Sequence, residues 1–213
     1  MCNVMPKRFQ MRTKTMLARM CVLGFMWVML SACGGDDHQE VVSVTFQGTV
    51  DGVEDPLDLL DGSVVIGSPI SGLYHMKTSA QPAPGSPSHN SSYFDAIGID
   101  DLEITVGHYI FKPGNTYSFA VQVGITNGGT NADGGYDGWN LWIPAPRVIG
   151  PTISADLAAF LTLYDPTENA LSSTTLVPVP TLADWAQKRI GVARGSNLFI
   201  VGELQTITRM TEP

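Results

Sequence analysis

Hydrophobic and polar residues alternate along most of the chain after residue 40. Val42, Val44 and Phe46 fall on one side of an extended backbone, and the intervening Ser43 and Thr45 fall on the other. A period of two is typical of a strand with one buried face. The same alternation recurs in seven further runs, at residues 63–67, 71–77, 102–111, 117–126, 138–143, 157–164 and 197–208. The pattern therefore predicts seven or more short strands.

Turn-forming residues separate these runs, and no helical period of ten to fifteen residues lies between them. The turns are at Asp51-Gly52, Asp61-Gly62, Pro113-Gly114-Asn115, Asn127-Gly128-Gly129 and Asp165-Pro166. Many short strands with such spacing favour an antiparallel β-sandwich or a jelly roll over alternating strands and helices. We expect an all-β fold in one domain, residues 41–209, followed by a short tail, residues 210–213.

Two segments depart from the alternation. Thr181 follows Pro178 and Pro180 and can cap one short helical turn near residues 181–187. The segment Ser79–Ser92 is rich in Pro, Ser and Ala and has neither periodicity nor many apolar residues, which predicts an exposed loop.

The first 32 residues have a different pattern, in which a basic stretch precedes an apolar run from Met20 to Leu30. This run is too short to span a bilayer, and Leu30-Ser31-Ala32-Cys33 ends it. The segment resembles the leader of a bacterial lipoprotein precursor. The resemblance implies that residues 1–32 are a cleaved signal peptide, that Cys33 is lipidated, and that residues 33–40 are a tether. Gly34 after the cysteine implies export to the outer membrane, on its periplasmic or outer side.

Charge and cysteine content limit which binding partners and which kinds of cysteine chemistry we expect. Residues 1–32 hold five of the twelve basic residues and none of the twenty acidic ones, so the remainder has a net charge of 7 − 20 = −13. Such a surface repels phosphate backbones and anionic lipids, which disfavours nucleic acid and leaves the lipid as the membrane anchor. The three cysteines are Cys2, Cys21 and Cys33, so the expected domain has no disulfide and no cysteine ligands.

Four pieces of the expected domain look like the extracellular domains of PEP-CTERM proteins. They are Thr45–Val50, Asp61–Tyr74, the Asn/Asp/Gly loop at 127–138, and Thr162–Thr167. The resemblance implies an exported β-rich module in bacteria that make exopolysaccharide. The chain ends at Thr211-Glu212-Pro213 without the membrane helix and basic cluster of that family, so we expect the amino-terminal lipid to supply the attachment.

Catalytic motifs are absent from the sequence, which contains no G-x-S-x-G, no H-E-x-x-H and no phosphate-binding loop. One acidic cluster could supply the paired carboxylates of a glycoside hydrolase, but it is more typical of a charged sheet edge. Its members are Asp95, Asp100, Asp101 and Glu103. His75 and His108 both fall in expected strands and could form a base or metal pair if the fold brought them together.

The loop that contains Asn131, Asp133 and Asp137 is the best candidate for a metal site. Its side-chain oxygens are interleaved with glycines and could surround a hard cation such as calcium. The same residue types also build hairpin turns, because they tolerate positive φ angles. No glutamate stands where an EF-hand requires one, since that position is Trp142.

Trp142 is the candidate residue for glycan binding. If Trp139, Leu141 and Ile143 face the core, Trp142 faces the other side of the same strand. An exposed indole can stack on a sugar ring, whereas the alternative is a tryptophan covered by a loop.

We therefore expect a lipid-anchored, non-catalytic β-sandwich module with a structural or exopolysaccharide-associated role. The alternative is a calcium- or glycan-binding module that uses residues 127–142. A glycan hydrolase is the least favoured interpretation, and no catalytic residue is assigned.

Overall fold

The structure is a computed structural model that describes residues 40–114, 121–132, 134–150, 157–194 and 198–211. The described residues form eleven strands: β1 (Val41–Glu54), β2 (Pro69–Lys77), β3 (Asn90–Tyr93), β4 (Ile97–Val106), β5 (Tyr109–Lys112), β6 (Gln122–Asn131), β7 (Gly134–Pro144), β8 (Arg147–Ile149), β9 (Ala158–Asp165), β10 (Gln187–Arg194) and β11 (Leu198–Arg209). In this part of the chain, no helix has the length and apolarity that a membrane span requires.

The strands form one antiparallel sheet in the order β3-β6-β7-β9-β10-β11-β1-β2-β4-β5-β8. Strand β3 is at one end of this order, and β4 is near the other. Only residues 94–96 connect them, so the end of β3 and the start of β4 are at most about 14 Å apart. The sheet must therefore curl until its two ends approach each other.

The core lies inside this curl. The rings of Tyr74 on β2 and Trp139 on β7 have centroids 6.4 Å apart, although four strands separate β2 from β7 in the sheet. Phe46 on β1 packs against Tyr74 at 6.1 Å, and all three side chains are buried. Inward-facing residues from opposite parts of the sheet thus share one core. The predicted all-β fold is confirmed, and the facing walls give it the character of a sandwich.

The long connection between β9 and β10 covers part of this core. Three buried aromatic side chains donate hydrogen bonds to its backbone carbonyls. The pairs are Tyr93 with Thr174, Trp139 with Val177, and Tyr74 with Pro178. These bonds satisfy the polar ends of the aromatic side chains and fix the connection to the sheet.

The connection also contains the predicted helical turn. A 3₁₀ turn spans Leu182–Asp184, within the expected range 181–187. Thr181 is at the N-cap position, but its side chain makes no capping hydrogen bond. The helical turn is therefore confirmed, although the expected Thr181 cap does not form.

Three local predictions were wrong. Residues 63–67 are irregular structure and a turn rather than a strand, and the run 102–111 is divided between β4 and β5 by a turn at Gly107-His108. The segment Ser79–Ser92 is only partly a loop, since Asn90–Tyr93 forms β3 at the end of the sheet. Within it, Ser91 is buried, and no apolar pattern marks such a strand.

Candidate functional site

Strand β7 divides its side chains between the core and the outer face. Trp139, Leu141 and Ile143 are buried, while Asn140 is half-buried and Trp142 is 43% exposed. This is the division that the alternation predicts. Trp142 is thus accessible on the outer face of the sheet.

A groove of about 260 Å³ runs beside Trp142 on the outer face of β3, β6 and β7. Its lining residues are Asn90, Ser92, Gln122, Gly124, Thr126, Tyr136, Asn140 and Trp142. Side-chain amides, hydroxyls and two aromatic rings therefore surround it, and none of these residues is charged. Gln122 Nε2 donates a hydrogen bond to Ser92 Oγ at 3.1 Å, which links two strands across the groove.

Gly124 explains why there is a groove at this place. It pairs with Asn140 on β7 and with Ser92 on β3, so it is at the centre of the three strands. A Cβ built at Gly124 would meet only the Cβ of Asn140, at 4.0 Å. The space above the strand is therefore open because this position has no side chain.

The Tyr136 side of the groove is shaped by an irregularity in β6. The register between β6 and β7 shifts between Thr126 and Gly129, and Gly128 has a φ of 62°. The ring of Tyr136 lies against Gly129, 3.0 Å from the position of an added Cβ, and stacks on Tyr164 of β9 with centroids 5.3 Å apart. Packing on both sides holds this ring in place.

The proposed calcium ligands are only partly within the described residues, because Asp133 lies outside them. Asp137 is buried, and its two carboxylate oxygens accept hydrogen bonds from the backbone N–H groups of Gly128 and Leu171, at 3.0 and 2.8 Å. Asn131 Nδ2 donates to Tyr164 Oη at 3.2 Å. Among the described residues, no three His, Cys, Asp or Glu side chains are grouped to hold a metal ion. Both carboxylate oxygens of Asp137 are thus engaged in structural hydrogen bonds.

The acidic cluster considered for hydrolysis lies mostly on β4. Asp100, Asp101 and Glu103 belong to this strand, which pairs with β2 on one side and β5 on the other. Among the described residues, β5 pairs only with Ile104–Val106, so these acidic residues lie along a locally unpaired edge of β4, as the sheet-edge interpretation expected. Glu103 forms an ion pair with Lys112 of β5 at 2.9 Å, so its charge is compensated on the exposed face.

Of the two histidines expected in strands, only His75 lies in one, and the two have different partners. His75 Nδ1 and Ser43 Oγ are 2.8 Å apart across β1 and β2. His108, in the turn after β4, lies 3.6 Å from Asp61 and 3.5 Å from Ser63 Oγ, both through Nε2. The Ser63 hydroxyl donates its hydrogen bond to the carbonyl of Leu60 rather than to the histidine. His108 is therefore not placed to act as a general base that activates Ser63 as a nucleophile.

Ser43 also borders a cavity of about 520 Å³, together with Val41, Arg209, Met210 and Thr211. Arg209 pairs there with Glu40 at 2.9 Å. Within the described chain, no carboxylate hydrogen bonds to His75, so the Ser43–His75 pair lacks the third group that orients a catalytic histidine. The pair serves as a cross-strand contact.

The lipidation candidate Cys33 lies outside the described residues. No family model matches the chain, and no curated protein or solved structure is found to be similar to it.

Proposed function

We propose that this protein is an exported, lipid-anchored and non-catalytic module that binds carbohydrate in the groove beside Trp142. The observation that carries the proposal is that Trp142 is 43% exposed at the side of a groove lined only by uncharged polar and aromatic residues. Large aromatic side chains exposed next to converging polar groups are typical of binding sites.

The chemistry of the groove matches that of a sugar. A sugar ring presents C–H groups on its faces and hydroxyl groups around its rim. The indole of Trp142 offers an apolar face for the C–H groups. The amides of Asn90, Gln122 and Asn140 have both donors and acceptors, which lets them bond hydroxyls in either direction.

The lining also supports a binding role over a hydrolytic one. Most glycoside hydrolases require two carboxyl groups on either side of the scissile bond. None of the described residues that line the groove is an aspartate or glutamate. The acidic residues Asp100, Asp101 and Glu103 of β4 do not line the groove either, although the curl of the sheet brings the start of β4 near β3.

The leader supports the proposed location. Lipidation at Cys33 would place the anchor eight residues before Val41, the first residue of β1, so the tether reaches at most about 28 Å. A domain held this close to the outer membrane would meet exopolysaccharide or cell-surface glycan. A glycan ligand also agrees with the strongly acidic surface, which disfavours nucleic acid.

The test is glycan binding by the soluble domain, residues 41–213, measured by a glycan array and then by calorimetry. We expect Trp142→Ala to lose binding while the melting temperature stays close to that of the wild type, because Trp142 is not in the core. Phe199→Ala is the matched control, since Phe199 is 37% exposed on β11 but does not line the groove. Wild-type failure to bind any glycan would overturn the proposal.

A further inference from the structure

Trp142 lies next to a second aromatic side chain, on the neighbouring strand. Phe160 of β9 is its direct cross-strand partner, and the two ring centroids are 6.4 Å apart with an interplanar angle of 19°. The rings are nearly parallel, and Phe160 does not line the groove itself. The outer face thus has two adjacent rings rather than one.

Phe160 is held in place by the strand beyond it. It pairs with Gly191 of β10, and its Cζ lies 3.0 Å from the position that a Cβ at Gly191 would occupy. The absence of a side chain at Gly191 therefore gives the phenylalanine ring room to lie over the sheet. An aromatic side chain over a cross-strand glycine is a stable arrangement in sheets.

We infer that Trp142 and Phe160 form a two-ring platform on which an uncharged, linear polysaccharide binds across the strands, with consecutive sugar residues on the two rings. This inference rests on the proposed function. Gln122, Trp142 and Phe160 occupy one row across β6, β7 and β9, in which each residue is the register partner of the next. The two ring centroids, 6.4 Å apart, are separated by about the length of one sugar residue in a chain.

The groove lining and the carboxylate beside it favour an uncharged polysaccharide. The lining of the groove has no cationic residue that could pair with a uronate or sulfate group. At the Tyr136 side, the carboxylate of Glu168 lies over Gly135 and close to Gly128. Together with the net charge of −13 after residue 32, this carboxylate would repel an anionic polysaccharide.

The experiment compares ligands of different length and charge on the same soluble domain. The probes are cello-, xylo-, manno- and chito-hexasaccharides, the corresponding methyl glycosides, and polygalacturonate. We expect a neutral hexasaccharide to bind and polygalacturonate not to bind. Phe160→Ala should lower the hexasaccharide affinity about tenfold, which corresponds to about 1.4 kcal/mol, and leave methyl glycoside binding unchanged. Phe160→Tyr should retain the wild-type affinity.

The outcomes separate this inference from the proposed function. If Trp142→Ala abolishes binding but Phe160→Ala binds the hexasaccharide like the wild type, the platform is wrong and the groove remains the site. Preferential binding of polygalacturonate would overturn the inference of an uncharged ligand. If the wild type binds none of the neutral probes, the inference fails, and a negative glycan array would show that the proposed function fails as well. Thermal melts of each variant exclude loss of folding as the cause.

Discussion

Asp137 and Asp165 lie directly opposite each other on β7 and β9, and both side chains are buried. Like charges at directly opposed strand positions are destabilising unless each is compensated. Here each carboxylate accepts hydrogen bonds from backbone N–H groups: Asp137 from Gly128 and Leu171, and Asp165 from Thr167 and Asn169. The two aspartates therefore hold the β6–β7 region and the start of the β9–β10 connection in place.

The stability of the domain should depend on the ionisation of Asp165. Burial opposes its ionisation, but hydrogen bonds from Asn169 and Thr167 outweigh this effect and lower the pKa of Asp165 below its ordinary value. A carboxyl group with a lowered folded-state pKa stabilises the fold above its unfolded pKa of about 3.9, and this contribution is lost as the pH falls through the folded-state pKa.

Urea unfolding between pH 6 and pH 2.5 tests this prediction. The free energy of unfolding of the wild type should exceed that of Asp165→Asn at pH 6, and the difference should shrink below about pH 4. The Glu203→Gln variant is a control for an exposed carboxylate on β11. A difference between wild type and Asp165→Asn that is constant over the whole pH range would contradict the role given to Asp165.

Asp137 should be a structural residue whose amide variant is destabilised. In Asp137→Asn, one of the two oxygens that accept N–H groups becomes an NH₂ group, so one buried donor loses its partner. We expect a loss of about 1–3 kcal/mol in the free energy of unfolding. Asn131→Ala, at the exposed end of β6, should cost much less. If calcium raised the melting temperature of the wild type and Asp137→Asn abolished this shift, the carboxylate would be a ligand instead.

Tyr74 should secure the β9–β10 connection through one hydrogen bond. Its hydroxyl donates to the carbonyl of Pro178 at 2.5 Å, and burial raises the pKa of Tyr74 well above its ordinary value, so the group stays a proton donor. Tyr74→Phe leaves the carbonyl without this donor and should lower the free energy of unfolding by about 1–3 kcal/mol. Tyr164→Phe, which removes a hydroxyl from the outer face, is the matched control. Equal stability of the two variants would show that the Tyr74 bond contributes little.

The sequence predicted the strands with a strong apolar alternation and missed those without it. Residues 157–164 correspond to β9 at Ala158–Asp165 within one residue. In β10, only Ile190 and Val192 carry the alternation, and the strand exists because β9 and β11 pair with it on both sides. Pairing between distant segments is a tertiary effect that local periodicity does not report.

The same limit applies to the candidate site. Alternation in β7 was enough to place Trp142 on the outer face. The groove beside it also requires β3, whose residues Asn90 and Ser92 come from a segment that was expected to be a loop. Phe160 became part of the site only through its register with Trp142. The residue types along the chain thus indicated the chemistry of the candidate site. The geometry of that site depends on the pairing of strands that are distant in the sequence.

Lipidation is expected at Cys33 alone. Cells that express the full chain and are fed labelled palmitate should label the wild type, whereas Cys33→Ser should remain unlabelled. Cys21→Ser is the matched control, because Cys21 lies in the leader that would be removed. Labelling of Cys33→Ser at the wild-type level would exclude the lipoprotein interpretation.

Gly124 offers the sharpest separation between folding and binding. A Cβ at this position would meet nothing closer than the Cβ of Asn140 at 4.0 Å, so the backbone has room for a side chain to begin there. Valine also has a higher strand propensity than glycine, so Gly124→Val should unfold at the same or a higher temperature than the wild type. Its two methyl groups would occupy the floor of the groove and exclude a sugar ring. We therefore expect Gly124→Val to lose glycan binding at least as completely as Trp142→Ala, while it remains fully folded by circular dichroism and thermal melting. A folded Gly124→Val that binds glycan with wild-type affinity would place the ligand elsewhere on the sheet.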